Sequence, residues 1–253
     1  MVTVAVPVNI SEIGILSKSL LSEITIRRRV KKAVILLSGG LDSATAAYCA
    51  RKDIGKTGEL YALTFDYGQR HSKEIWCAAA IAKALGVTNH QSIRVPIDML
   101  VKTALTGQSN IPVNGVVTSI PSTWVPQRNS IFLAFAFALA ETVGANWIYT
   151  GFNILDYSGY PDCRPEFVDS IQKSLNLASK RFIETGEGIG IVAPLMRLKK
   201  FEIIKLGSEL GVPFELTTSC YQGKEKACGF CDSCRIRLCG FEEAGLKDPI
   251  GYE

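Results

Sequence analysis

From Ala33 onward, short apolar runs alternate with longer stretches of helix-forming residues. Five runs have the length and composition of strands: 33–37 (Ala-Val-Ile-Leu-Leu), 60–65 (Leu-Tyr-Ala-Leu-Thr-Phe), 91–95, 147–150 (Trp-Ile-Tyr-Thr) and 189–193. The segments 43–52, 71–85, 128–143, 165–182 and 200–210 read as helices. Gly86 closes the alanine-rich 71–85 segment as a C-terminal stop. Pro165 opens 165–182, where a missing N–H costs little. This alternation predicts an α/β fold, a doubly wound parallel sheet with helices on both faces. Such sheets bind ligands beyond the carboxyl ends of their strands. Polar clusters fall there, after Leu37, after Phe65 and after Thr150. Residues 99–127 form a long Gly/Pro/Ser/Thr-containing connection, a length common in lids and binding segments.

At 253 residues, 47% of them hydrophobic, the chain can hold one large domain with an appendage. No apolar run approaches the ~20 residues that span a bilayer, so no membrane partner is expected. The net charge of +4 is confined to residues 1–32, which hold six basic and two acidic side chains. The remaining chain is balanced, which lowers the odds of a nucleic-acid partner and favours a small-molecule substrate. Residues 1–32 do not form a convincing secretion signal, because the basic cluster follows the apolar stretch. The expected compartment is the reducing cytoplasm. The expected division is an N-terminal extension (1–32), a nucleotide domain (33–215) and a C-terminal metal-binding segment (216–253).

The turn after the first strand carries the chemistry. Ser38-Gly39-Gly40-Leu41-Asp42-Ser43 lies between a strand and a helix. Its glycines let the backbone approach a ligand, and its N–H groups converge with those of the helix N-terminus on one anion. No Gly-Lys-Ser/Thr ending follows, so it is not the usual phosphate loop of ATPases and GTPases. The nucleotide-binding candidates are Leu37, Ser38, Gly39, Gly40, Leu41, Asp42, Ser43, Ala44 and Thr45. The hydroxyls of Ser38 and Ser43 are expected to assist. Asp42 either positions Mg²⁺ or is a first-turn carboxylate favoured by the helix dipole. Near the C-terminus, Cys220, Cys228, Cys231 and Cys234 form C-x7-C-x2-C-x2-C. Four thiolates suit a closed structural Zn²⁺ site, though spacing alone also permits an iron–sulfur cluster. Arg235 and Arg237 follow at once, placed to offset the thiolate charge.

With these motifs located, further stretches become recognisable: Phe65-Asp66-Tyr67-Gly68-Gln69-Arg70-His71, Pro121 to Asn129, Ser158-Gly159-Tyr160-Pro161-Asp162-Cys163-Arg164, Pro194-Leu195 and Lys200-x-Glu202. Together they resemble the 7-cyano-7-deazaguanine synthase (QueC) family of PP-loop ATP pyrophosphatases, over roughly residues 33 to 241. Gln127 stands where the family often has Gly, and Lys199 replaces an acidic or small polar residue. The resemblance implies a carbon–nitrogen ligase. ATP adenylates the carboxylate of 7-carboxy-7-deazaguanine, ammonia gives the amide, and a second adenylation yields the nitrile. It implies ATP, Mg²⁺, one zinc per chain and a homodimer. It assigns catalytic roles to Asp42, Arg128 and Lys200, and substrate contacts to Arg128, Tyr157, Tyr160, Asp162 and Arg164. His71 and Glu74, three apart, read as a proton relay or as an N-terminal helix pair. Two alternatives remain: a PP-loop tRNA sulfurtransferase using Cys163 or Cys239, or a ligase that attaches the deazaguanine carboxylate to a protein amine.

Overall fold

The computed structural model describes residues 32–70, 73–107, 120–155 and 160–253. The N-terminal extension up to residue 31, His71 and Tyr157 therefore lie outside the described residues. Five strands form one wholly parallel sheet: β1 (Lys32–Leu36), β2 (Glu59–Asp66), β3 (Asn89–Arg94), β4 (Trp147–Tyr149) and β5 (Gly190–Val192), in the order β3-β2-β1-β4-β5. The main helices are α1 (Leu41–Ile54), α2 (Lys73–Leu85), α3 (Arg128–Val143), α4 (Pro165–Leu177), α5 (Lys180–Thr185), α6 (Lys200–Glu209) and α7 (Asp232–Ala244).

Alternation along the strands divides the core into two layers. Ala33 and Ile35 of β1, Leu60 and Ala62 of β2 and Tyr149 of β4 meet α1, α2 and α6 on one face. Val34, Leu63, Phe65 and Ile148 meet α3 and α4 on the other. The expected strands and the α/β class are therefore found, with a helix layer on each side. Two helical details differ. The expected 165–182 helix is two helices, because Ser179 caps α5, its Oγ accepting the Phe182 N–H at 3.3 Å. Just before the break, the Asn176 side chain, still within α4, exchanges hydrogen bonds with the backbone of Ile189 ahead of β5. The final helix, α7, carries Cys234 and was not anticipated. It packs on α6 so closely that a Cβ on Gly240 would stand 2.4 Å from Lys200 Cγ.

The chain runs outward from β1 to β2 and β3, then returns to the other side of β1 with β4. The reversal opens a crevice at the carboxyl ends of β1 and β4, where a parallel sheet places its ligand.

Candidate active site at the sheet switch point

A cavity of about 300 Å³ occupies this crevice. Its floor is the turn from β1 into α1. Gly39 has φ +86° and sits against α2, where a Cβ would lie 2.2 Å from the Glu74 carbonyl oxygen. Gly151, just past β4, abuts α1 directly, with an ideal Cβ 2.8 Å from the Ser43 amide nitrogen. Glycine at both points lets a strand end and a helix clamp the turn from opposite sides. Gly40, the N-cap of α1, supplies no side-chain cap. The first N–H groups of α1 consequently have no helical acceptor and favour an anion.

The two serines are bonded within the turn itself. Ser38 Oγ donates to Ser43 Oγ at 3.0 Å, and Ser43 Oγ donates to the Gly40 carbonyl at 3.0 Å. The hydroxyls brace the turn from within, Ser43 Oγ accepting the Ser38 N–H at 3.2 Å and Ser38 Oγ the Gly40 N–H at 3.3 Å. Ala44 and Thr45 are fully buried behind it, with Thr45 Oγ1 bonded to the Leu41 carbonyl at 2.9 Å. Leu37, Gly40, Leu41, Asp42 and Ser43 line the cavity.

Lys200, the first residue of α6, reaches across to Asp42. Its Nζ lies 2.7 and 2.9 Å from the two carboxylate oxygens. The pair is partly shielded from solvent and stands at the cavity edge beside the turn. Sequence separation of 158 residues hides this contact completely from local pattern.

The opposite wall is aromatic and cationic. Phe65 stacks on Phe132 at 4.1 Å between ring centroids, and Tyr67 tilts against Phe132. The Arg128 guanidinium lies over the Tyr67 ring at 5.7 Å. Burial opposes the Arg128 charge, but the polar groups around it, the Asp162 carboxylate among them, outweigh that and hold it protonated. Gln127, immediately before, has φ +60° and ψ +10°, the only non-glycine in the left-handed region among the described residues. The backbone thus shows why glycine suits this position, and why Gln here carries strain.

Tyr160 lines the cavity, its hydroxyl 2.6 Å from Thr123 Oγ1. Asp162 is buried behind the lining, where its Oδ2 accepts the Asn129 N–H at 3.2 Å and its Oδ1 has no partner among the described residues. Arg164 is exposed at the N-cap of α4, outside the cavity lining. Asp42, Lys200, Arg128 and Tyr160 are therefore brought together, whereas Arg164 is not among them. Sequence reasoning also left out Tyr67, Asn129 and Gly151. Their signals were present in the Tyr67-Gly68-Gln69 and Arg128-Asn129 stretches, but only the fold turns them toward one space.

The four cysteines converge as expected. All are buried, and their sulfurs lie within 4.8 Å of one another. Backbone N–H groups of Gln222 and Cys228 donate to Cys220 Sγ at 3.4 Å each, and that of Cys231 donates to Cys228 Sγ at 3.4 Å. A tetrahedral centre with ~2.3 Å metal–sulfur bonds has edges of about 3.8 Å. The Cys228–Cys234 sulfur separation is 3.9 Å, so the donor set fits a metal ion. Arg237 does not serve the thiolates as expected. It is 1% exposed and forks onto Asp248 at 2.8 and 2.9 Å, while also donating to Thr217 and the Phe214 carbonyl. Arg235 is exposed. Thr218, Ser219, Tyr221, Ser233 and Ile236 of this segment form one wall of the cavity. None of the four cysteines is itself among the lining residues.

A bare helix N-terminus at the switch point, reached by a lysine and faced by an arginine, marks a nucleotide-handling α/β protein of the PP-loop class. A sequence model described as "Queuosine biosynthesis protein QueC" matches residues 32–245, and the chain belongs to that family. Among curated relatives, the 7-cyano-7-deazaguanine synthase of Nostoc punctiforme is 49% identical over 226 residues, covering 87% of this chain and 99% of its own. That of Thermoplasma volcanium is 49% identical over 226 residues, covering 88% and 91%. A solved NMN synthetase from Francisella tularensis superposes with a TM-score of 0.49 at 17% identity, over 90% of this chain and 83% of that one.

Proposed function

We propose that this chain converts 7-carboxy-7-deazaguanine and ammonia into 7-cyano-7-deazaguanine, at the expense of two ATP molecules. The observation that carries the reading is the cavity itself. It has a bare helix N-terminus and a lysine at one end and an aromatic wall with an arginine at the other, in a chain about half identical to enzymes of that name. Pyrophosphate leaves into the N–H groups of Gly39 and of Leu41 to Ser43. Lys200 neutralises charge at the reacting phosphate and sets the orientation of Asp42, while Arg128 opposes the oxyanion that forms as the acyl carbon is attacked. Tyr67, Phe65 and Phe132 give the flat base an apolar surface. Asp162 and Tyr160 are proposed to read its polar edge, with Tyr157 and Arg164 as further proposed contacts.

Mg²⁺ would accompany ATP and neutralise its phosphates, with Asp42 as the nearby carboxylate to hold it. Cys220, Cys228, Cys231 and Cys234 would bind one structural Zn²⁺, stapling residues 216–253 against the nucleotide domain of residues 33–215. Metal analysis of the purified chain should find one zinc equivalent. A cytoplasmic homodimer is proposed with it, which sedimentation would test. Sulfur transfer through Cys163 is disfavoured, because burial pushes its thiol up to about 12.

The decisive experiment is mass spectrometry of the product formed from 7-carboxy-7-deazaguanine, ATP, Mg²⁺ and an ammonium salt. A cyano product supports the reading. Pyrophosphate release that stops at an adenylate points instead to a protein amine as acceptor, and no substrate-dependent pyrophosphate release overturns both.

A further inference from the structure

Making a nitrile from an acid strips one nitrogen of its protons. Ammonia adds to the acyl adenylate, and the adduct must lose one N–H proton as the bond to AMP breaks, which leaves the amide. The amide oxygen is then adenylated. The resulting cation loses two more N–H protons as its C–O bond to AMP breaks, which leaves the carbon–nitrogen triple bond. Three protons leave in all, and no electrons are exchanged. The cavity therefore needs a base within reach of the incoming nitrogen.

Among the described lining residues there are two carboxylates, Asp42 and Glu74. Asp42 is gripped by Lys200 through both oxygens. Lys200, Arg128 and Arg237 are cations. Burial pushes Tyr67 and Cys163 to about 12, which leaves both neutral. Glu74 stands in the first turn of α2 beside the Tyr67–Arg128 wall, and its carboxylate makes no hydrogen bond to a described residue. The Glu74 carboxylate can also attract ammonium, the form in which most of the nitrogen is present near neutral pH and from which a fourth proton must leave before the nitrogen can attack. On the ligase reading above, we propose that the Glu74 carboxylate receives the protons shed by the incoming nitrogen and passes them to solvent between steps.

Its acidity suits the task. Burial raises Glu74 to about 7, opposed by the Arg128 charge. The groups facing it are Arg128 from α3, Tyr67 from the segment after β2, and Cys77 one turn on in its own helix, which Lys73 and Arg237 of α7 face in turn. A base must be ionised to act, so turnover should rise with pH through about 7 and level off above it.

The test compares wild type, Glu74→Gln and Glu74→Asp in two assays. Substrate-dependent ATP–pyrophosphate exchange reads activation, which needs no nitrogen. Product mass spectrometry reads amide and nitrile formation. Glu74→Gln should keep exchange within about threefold. It should lose nitrile formation by ~10²–10⁴-fold, the usual range for removing a general base. The pH rise through 7 should vanish with it. Hydroxylamine, a stronger nucleophile needing less help, should still be captured as the hydroxamate. Glu74→Asp should retain a measurable rate and its ascending pH limb. Nitrile formation by Glu74→Gln at the wild-type rate overturns the proposal. So does loss of exchange in both variants, which would place Glu74 in activation or folding. Absence of exchange in the wild type is a different failure, that of the ligase reading.

Discussion

Replacing Gly151 by alanine drives a methyl group into the first turn of α1. The added carbon would meet Ser43 N at 2.8 Å, the Asp42 carbonyl carbon at 2.9 Å and Ser43 Cα at 3.0 Å. All three are backbone atoms of the helix end proposed to bind pyrophosphate, so no side chain can swing aside. Reaching even a tight contact of 3.4 Å requires about 0.6 Å of separation between β4 and α1. Overpacking of this kind costs about 1–3 kcal/mol, and a chain of this size should lose about 2–12 °C in Tm. The catalytic cost is larger in proportion, since a displacement near 1 Å lowers a rate by about 10². Gly151→Ala should therefore bind zinc normally and fold, yet lose about 10- to 100-fold in ATP–pyrophosphate exchange, with a raised KM for ATP. Wild-type exchange and Tm together would refute the claim that this strand end and the helix are in obligatory contact.

Lys200→Met keeps most of the side-chain volume but removes the charge facing Asp42, and should cut exchange by ~10²–10³-fold; a variant within threefold of wild type would remove Lys200 from the activation step. Gln127→Gly should relieve left-handed strain and raise Tm by about 2–4 °C, despite the lost Ser130–Gln127 hydrogen bond, and a lower Tm would show that the strain is already compensated. Arg237→Leu leaves the 4%-exposed Asp248 carboxylate without its cation, bonded only by the Tyr252 hydroxyl and the Ile250 N–H, at about 3–5 kcal/mol or a Tm fall of about 6–20 °C; Arg237→Leu/Asp248→Leu should recover most of it, and a single variant as stable as wild type would contradict the buried pair.

The chain's local pattern determined the five strands, the turn at Ser38 to Ser43 and the cysteine quartet. Each of these rests on neighbours in sequence: apolar runs of strand length, glycines between a strand and a helix, and thiols a few residues apart. The break at Ser179 escaped because Asn176 answers to Ile189, a partner outside the helix. Tertiary structure alone decided which polar groups share one cavity. It carried Lys200 to Asp42, set Glu74 beside Arg128, turned Arg237 from the thiolates to Asp248, and left Arg164 outside. Those outcomes depend on how a sheet reverses its strand order and how helices pack across it, which spacing along a chain does not encode.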